Sequence, residues 1–248
     1  MSNAGRFAAR PIAGGGTAAD VWRAADLTFP ELEWEHCPAL VVVAPHPDDE
    51  TLGFGGAIAA AAERGIPVRV LSVSDGDAAH PEATAAQRGA LAQTRRDEVC
   101  CAAAALGIGA PTRLGLPDGD VAGHQAGLTD ALAEALTAEP AGAWCAATWR
   151  GDGHPDHEAV GRAAAEATAR TGAVLLEYPL WMWHWAEPGD DTVPWHTAHR
   201  SSLTDSSMKR KIDAAQCFRS QFEPDGLEAV LPPYVLARLL TVGEVVFR

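Results

Sequence analysis

The sequence predicts an α/β protein in which helices cover both faces of a mostly parallel sheet. Residues 39–44 (ALVVVA) form a continuous apolar run of strand length, which is typical of a parallel strand with both faces buried. Ala-rich stretches of helical length then alternate with short Val- and Leu-rich runs, as in successive βαβ units. The length of 248 residues fits one domain of this class.

Glycines mark the ends of predicted helices. The Ala-rich stretch 52–64 ends at Gly65, and the long helix 84–106 ends in the same way at Gly107. The predicted helices are 52–64, 84–106, 128–137, 158–170 and 206–220. The predicted strands are 39–44, 68–73, 112–114, 143–148, 174–177 and 242–247. This order predicts a Rossmann-like three-layer sandwich with its functional loops at the carboxyl ends of the strands.

Two segments depart from the alternation. Residues 1–36 include a triple glycine, so we expect a partly ordered lead-in before a single domain that spans 37–248. Farther along, Trp181, Trp183 and Trp185 stand at alternate positions, which predicts one shared face of an extended segment. Core or subunit packing is the favoured role of these tryptophans, and stacking on a ligand is the alternative.

Composition excludes several classes of function. The net charge of -14 repels phosphate backbones, so we expect no nucleic-acid partner and favour a small neutral or cationic molecule. No apolar run approaches the roughly 20 residues that span a bilayer, and the N-terminus lacks a signal-peptide pattern, which predicts a cytoplasmic location. The five cysteines show no CxxC spacing and are expected to be reduced and mostly buried.

A first cluster of ionisable residues directly follows the first predicted strand. Residues 45–51 read PHPDDET, which crowds His46, Asp48, Asp49 and Glu50 at the mouth of the sheet. Acids at a helix start complement its dipole, but that effect is only about 0.3–1 kcal/mol each and explains neither the histidine nor the prolines. Because neighbouring side chains diverge, one aspartate can bind a cation while the other acts as a base.

A second cluster, GDGHPDH at residues 151–157, again follows a predicted strand, so the two clusters are expected to meet at one edge of the sheet. Imidazole and carboxylate ligands from both loops give a three-ligand set with a position open for water, as in catalytic zinc sites. The same ligand types also suit Fe²⁺. A single HxxD is more often a helix cap beside a surface imidazole, and two such clusters at strand ends weigh against that interpretation.

A dinucleotide site at residues 53–56 (GFGG) is disfavoured because GxGxxG is absent and the preceding loop is acidic.

The motifs PHPDDETLGFGG and GHPDHEAVGRAA resemble those of the PIG-L/LmbE-like zinc-dependent de-N-acetylases, which remove acetyl groups from N-acetylglucosamine units. The resemblance covers residues 39–118 and 143–171 well and 205–222 moderately. It implies that the zinc ligands are His46, Asp49 and His157. The family is Rossmann-like, in agreement with the predicted elements.

The resemblance also implies catalytic roles. Asp48 corresponds to the general base of the family, and His154 to a side chain that stabilises the oxyanion. We expect His154 to carry a positive charge that Asp156, two residues on, supports. Some members also use a tyrosine at the oxyanion, and the matched segments hold no evident counterpart of it.

Two further residues, Arg95 and Asp118, correspond to substrate-binding positions of the family. By spacing alone, Arg95 and Glu98 stand three apart on the long helix and predict a surface ion pair. A guanidinium and a carboxylate can orient sugar hydroxyls through paired hydrogen bonds.

The sequence therefore predicts a zinc-dependent hydrolase that removes an N-acetyl or similar N-acyl group from an amino-sugar conjugate. The alternatives are a zinc amidase for a non-sugar amide and a catalytically silent sugar-binding module with a structural metal. The presence of Asp48 favours an enzyme, because a structural site has no use for a carboxylate beside an open coordination position. The sequence leaves room for a homo-oligomer.

Overall fold

The computed structural model describes residues 1–223 and 229–248, and in this part of the chain a seven-stranded sheet forms the centre. The strands are β1 (Leu40–Ala44), β2 (Val68–Ser72), β3 (Thr112–Arg113), β4 (Trp144–Thr148), β5 (Val174–Tyr178), β6 (Ala198–Ser201) and β7 (Glu244–Phe247). They lie in the order β3-β2-β1-β4-β5-β7-β6. Strands β1 to β5 are parallel, whereas β7 is antiparallel to both β5 and β6. The predicted mostly parallel sheet is confirmed.

The helices are α1 (Asn3–Ala8), α2 (Ala19–Ala24), α3 (Asp49–Glu63), α4 (Ala85–Leu106), α5 (Gln125–Thr137), α6 (Pro155–Thr171), α7 (Met182–Trp185), α8 (Asp205–Ala215), α9 (Arg219–Phe222) and α10 (Pro233–Val242). Helix α4 begins with a capping box between Thr84 and Gln87 and ends at the left-handed Gly107. The helix predicted over 206–220 is instead two helices, because α8 ends at Ala215 and α9 starts at Arg219.

Strand β1 shows how the three layers form. All five of its residues are buried, and alternate side chains enter different cores. Leu40 and Val42 pack in the cluster that holds Phe54 of α3, while Val41 and Val43 pack in a second cluster with helices α5 and α6. Because successive strand residues point to opposite faces, the apolar run ALVVVA serves both layers.

The tryptophan segment differs from its predicted extended form. Residues Met182–Trp185 form the short helix α7, so the three tryptophans do not share a strand face. The reason is a long-range contact: the carboxylate of Asp152 accepts hydrogen bonds from the backbone N–H groups of residues 180, 181 and 182 and stabilises a helical turn there. Trp181, Trp183 and Trp185 are all buried, as the core-packing interpretation required.

The prediction of reduced cysteines is wrong for one pair. Cys101 of α4 and Cys217, between α8 and α9, form a disulfide with their Cα atoms 6.0 Å apart. They are 116 positions apart in sequence and meet because α4 packs against α8, which no local spacing reveals. Cys37 and Cys145 are buried thiols as expected, and burial raises the pKa of each to about 12.

Residues 1–36 contain α1, α2 and two buried tryptophans, Trp22 and Trp34. The division into a lead-in and a domain from residue 37 stays a prediction. Within residues 1–223 and 229–248, none of the helices combines the length and the apolar character needed to cross a bilayer.

Candidate active site

The two ionisable clusters meet at the carboxyl edge of the sheet. Strands β1 and β4 are parallel neighbours, and the clusters occupy the loops that follow them. The ring centroids of His46 and His157 are 5.5 Å apart, although these residues lie in loops that are distant in the chain. The structure thus brings together the residues predicted from both motifs.

One donor set can hold a metal ion. The Oδ2 atom of Asp49 lies 3.1 Å from Nδ1 of His46 and 3.2 Å from Nε2 of His157. Separations slightly above 3 Å match the edges of a tetrahedron whose ligands lie at about 2.0–2.1 Å from zinc. His46, Asp49 and His157 also offer ligand atoms that all lie within 4.8 Å of one another.

The ring of His157 provides an independent test of this fit. Its Nδ1 atom donates to Oδ2 of Asp152 at 2.8 Å, so Nε2 is the nitrogen that faces Asp49. Against the effect of burial, Asp49 and Asp152 raise the pKa of His157 to about 9, and a cation at Nε2 would take the place of that proton. This Nε2 atom is fully buried and has no hydrogen-bond partner among the described residues. A buried imidazole nitrogen that has no hydrogen bond and lies beside a carboxylate suits a cation.

Sequence reasoning missed the role of Asp152. Its carboxylate holds His157 and also binds the start of α7, so one buried side chain links a candidate ligand to the segment after β5. The signal was present, because a metal-bound histidine usually donates its other N–H to a carboxylate, and Asp152 precedes His157 by five residues.

A second donor set, His46, His154 and Asp156, also clusters within 4.8 Å. Its atoms, however, have other partners. Nδ1 of His154 accepts the backbone N–H of Asp156 and caps α6, and the Asp156 carboxylate accepts the backbone N–H groups of Gly119 and Val121. The set with His157 is therefore the better cation site.

The environment of His154 differs from the expected one. Burial lowers its pKa to about 3, and the neighbouring His157 and His46 add to this effect, so the ring is neutral near pH 7. Asp156 contacts His46, with Oδ2 3.2 Å from Nε2, instead of pairing with the ring of His154. The expected positive charge on His154 is disfavoured because burial outweighs the opposing effect of Asp156, whose carboxylate accepts the backbone N–H of Gly119.

Asp48 lies beside the ligand cluster in a backbone conformation that L residues rarely adopt, with φ of 137°. Two buried groups hold it: Nη2 of Arg95 lies 3.0 Å from its Oδ2, and the Glu50 carboxylate accepts its backbone N–H. Burial raises the pKa of Asp48 to about 8, against the opposing effect of Arg95. The next residue behaves differently, because His157 and His46 outweigh burial and hold the pKa of Asp49 well below its usual range.

Arg95 is buried, with 4% exposure, so the surface ion pair with Glu98 is wrong. Its guanidinium donates to the backbone carbonyls of Pro47 and Gly76 at 2.6 and 2.9 Å, and Glu98 instead accepts hydrogen bonds from Ser220. This places Arg95 behind Asp48 while one edge of it still lines the cavity.

Asp118 lies in the loop after β3. Its Oδ1 is 3.1 Å from Nε2 of His46, and its Oδ2 accepts the backbone N–H of Ala78 at 2.6 Å. Despite its burial, hydrogen bonding and charge interaction with His46 lower the pKa of Asp118 to about 2, so it is ionised.

A cavity of about 340 Å³ opens over this cluster. Besides the residues above, Phe7 and Ile12 from the first segment of the chain line it, together with Leu180, Trp181 and Leu231. Sequence reasoning assigned no role to Phe7 or Ile12, and nothing in the local sequence around them points to a cavity. Neither tyrosine of the chain lines this cavity: the Tyr178 hydroxyl donates to Val43 O, and Tyr234 donates to Ile12 O.

The chain resembles proteins of known sequence and structure. A family model described as "PIG-L: GlcNAc-PI de-N-acetylase" matches residues 41–168. Two 1D-myo-inositol 2-acetamido-2-deoxy-alpha-D-glucopyranoside deacetylases, from Mycobacterium sp. strains KMS and JLS, are 35% identical over 161 residues, which cover 55% of this chain and 52% of theirs. The chain thus spans about half the length of the curated relatives it matches.

Solved structures share the fold. The N,N'-diacetylchitobiose deacetylase from Pyrococcus horikoshii superposes with a TM-score of 0.60 at 22% identity, covering 77% of this chain and 73% of its own. The conserved protein TT1542 from Thermus thermophilus gives a TM-score of 0.57 at 28% identity, covering 80% and 84%. The family match covers about half of the chain, including both motif loops, and the chain belongs to the PIG-L family.

Proposed function

We propose that this chain is a metal-dependent hydrolase that removes the N-acetyl or a similar N-acyl group from an amino-sugar conjugate. The observation that carries the proposal is the cluster of His46, Asp49 and His157 with the buried carboxylate of Asp48 beside it. The mycobacterial and Pyrococcus relatives are named as deacetylases of acetylated amino-sugar compounds, which supports the same class of substrate.

We propose that His46, Asp49 and His157 hold Zn²⁺, with Fe²⁺ as the alternative that the same ligand types allow. When bound, the divalent ion supplies a Lewis acid and lowers the pKa of water to about 7. The three carboxylates that contact His46, those of Asp49, Asp118 and Asp156, make the site anionic, which favours a divalent cation.

Asp48 is suited to remove the proton from the attacking water. Its pKa of about 8 lies close to neutral pH, where a general base is most effective. Arg95 and Glu50 fix its position, so little reorganisation is needed when the substrate binds. The proton that Asp48 takes up is then available to the departing amine.

His154 is suited to stabilise the oxyanion as a neutral donor. Because its Nδ1 accepts the backbone N–H of Asp156, the ring proton resides on Nε2. A neutral N–H placed at the cavity wall can donate to the oxygen that becomes negative during attack. Asp118 and Arg95, which both line the cavity, are the proposed contacts to the sugar.

The test compares two variants of the metal-loaded protein on an N-acetylglucosaminyl conjugate and on N-acyl amino acids, with free amine as the readout. Asp48→Asn is expected to lose about 100- to 10,000-fold in turnover while keeping its metal, because only the base is removed. His46→Ala is expected to lose both turnover and metal. Wild-type turnover by Asp48→Asn, or hydrolysis of the amino acids alone, contradicts the proposal.

Metal analysis of the purified protein, followed by anaerobic reconstitution with Zn²⁺ or Fe²⁺, identifies the ion. A cytoplasmic location and assembly into a homo-oligomer stay predictions, which fractionation and light scattering can check.

A further inference from the structure

The cavity above the ligand cluster has two chemically different ends. One end is polar and is formed after β2 and β3, where Ala78, Asp118 and Gly119 lie, with Arg95 beneath. The other end is mostly apolar and is lined by Phe7, Ile12, Leu52, Leu180, Trp181 and Leu231, with one polar residue, Gln221, next to Leu231. The sheet order explains the split, since β2 and β3 lie on one side of β1 and β5 lies on the other side of β4. The ligand cluster after β1 and β4 is between the two ends.

We propose that the apolar end binds the acyl chain of the substrate and that this chain is longer than acetyl. This inference rests on the proposed function and specifies its substrate. The reaction is the same hydrolysis for any acyl chain. The amide C–N bond breaks, water gives its hydroxyl to the acyl carbon and a proton to the amine, and a carboxylic acid leaves.

The position of the sugar in the cavity determines the direction in which the acyl chain extends. Sugar hydroxyls buried against the apolar side chains would lose their hydrogen bonds to water without replacement, whereas the polar end offers Asp118 and Arg95. The two substituents of a trans amide extend in opposite directions from the C–N bond. With the sugar at the polar end and the carbonyl at the ligand cluster, the acyl chain enters the apolar end.

An acetyl group is too short to cover this surface. Each methylene that leaves water for an apolar wall strengthens binding by about fourfold. A longer acyl chain therefore binds more tightly, because it displaces water from apolar side chains that an acetyl group does not reach. Phe7 closes this end, because its ring lies 5.2 Å from the ring of Trp181 and 6.2 Å from that of His154. Phe7 and Ile12 lie outside the segment 41–168 that matches the family model, so this part of the wall comes from the first segment of the chain.

The experiment measures kcat/KM of the metal-loaded protein on methyl glycosides of glucosamine that carry N-acetyl, N-butanoyl or N-hexanoyl groups. The kcat/KM for the N-butanoyl substrate is expected to exceed that for the N-acetyl substrate by about tenfold. A second series keeps N-acetyl and changes the aglycone from methyl to octyl, which is expected to change kcat/KM less than twofold.

Phe7→Ala is expected to raise the ratio of kcat/KM for the hexanoyl substrate to that for the butanoyl substrate at least threefold. Phe7→Leu, which keeps an apolar side chain, is expected to give an intermediate ratio. Val21→Ala is the matched control, because Val21 is an apolar residue of the same first segment that is 47% exposed and does not line the cavity. Thermal unfolding of each variant verifies that it is folded.

The outcomes separate the two proposals. If kcat/KM for the N-acetyl substrate equals or exceeds that for the N-butanoyl substrate, the acyl assignment fails and the proposed function stands. If the octyl aglycone raises kcat/KM and a longer acyl chain does not, the assignment is overturned, and the apolar end binds an apolar aglycone instead. If Phe7→Ala changes all acyl substrates equally, Phe7 does not shape an acyl site. Failure of the metal-loaded protein to hydrolyse any conjugate overturns the proposed function and this inference with it.

Discussion

Among the single residues of the site, Asp152 connects the candidate ligand His157 to the cavity wall at Trp181. Asp152→Asn removes the charge that faces Nδ1 of His157 and puts an amide in its place. Loss of such an outer carboxylate typically weakens metal affinity about 10- to 100-fold, and we expect that range here.

Competition with a chromophoric chelator measures the affinity of the Asp152 variant. Asp130→Asn serves as the control, since Asp130 is exposed and forms an ion pair with Arg170 at the surface. Its metal affinity should equal that of the wild type. An Asp152→Asn protein with unchanged affinity would show that the hydrogen bond to His157 does not support metal binding.

Between secondary-structure elements, a buried ion pair joins α8 to β7. Nζ of Lys211 lies 2.8 Å from Oε1 of Glu244, and the Glu244 carboxylate also accepts the backbone N–H groups of Gly56 and Ala57 in α3. Lys211→Met leaves that carboxylate buried without its cation. We expect the free energy of unfolding to fall by about 3–5 kcal/mol, as measured by urea denaturation.

The same helix supplies the control for this prediction. Lys209 pairs with Asp213 at the surface, where both side chains are well exposed. Lys209→Met should therefore change the free energy of unfolding by less than about 0.5 kcal/mol. If both substitutions lower the free energy of unfolding equally, the buried ion pair does not stabilise the packing of α8 against the sheet more than a surface pair does.

Across the molecule as a whole, a bound metal ties together two loops that are distant in sequence. A ligand that binds only the folded state at 100 times its Kd stabilises it by about 2.7 kcal/mol, which corresponds to roughly 5–10 °C in Tm for a chain of this size. We expect Zn²⁺ to raise Tm by that amount and EDTA to reverse the shift.

Two variants decide which donor set is responsible for this shift. His157→Ala should abolish the effect of Zn²⁺ on Tm, whereas His154→Ala should retain it, because His154 caps α6 and His157 has the unsatisfied Nε2. The reverse result would assign the ion to the set of His46, His154 and Asp156.

Local patterns in the chain were enough to predict the alternation of elements and the two motif loops, because these depend on periodicity and on residues that are close in sequence. They also placed both clusters at one edge of the predicted sheet, since each follows a strand, whereas the choice of His46, Asp49 and His157 as ligands came from the family resemblance. Asp152 could have been added on the same grounds, because it stands five residues before His157.

Other features of the site and the fold became visible only in three dimensions. They are the neutral state of His154, the helical form of α7, the Cys101–Cys217 disulfide and the place of Phe7 in the cavity. Each of these depends on contacts between residues far apart in the chain or on burial by several elements. Desolvation and long-range hydrogen bonds arise only when the layers pack, so no local pattern encodes them.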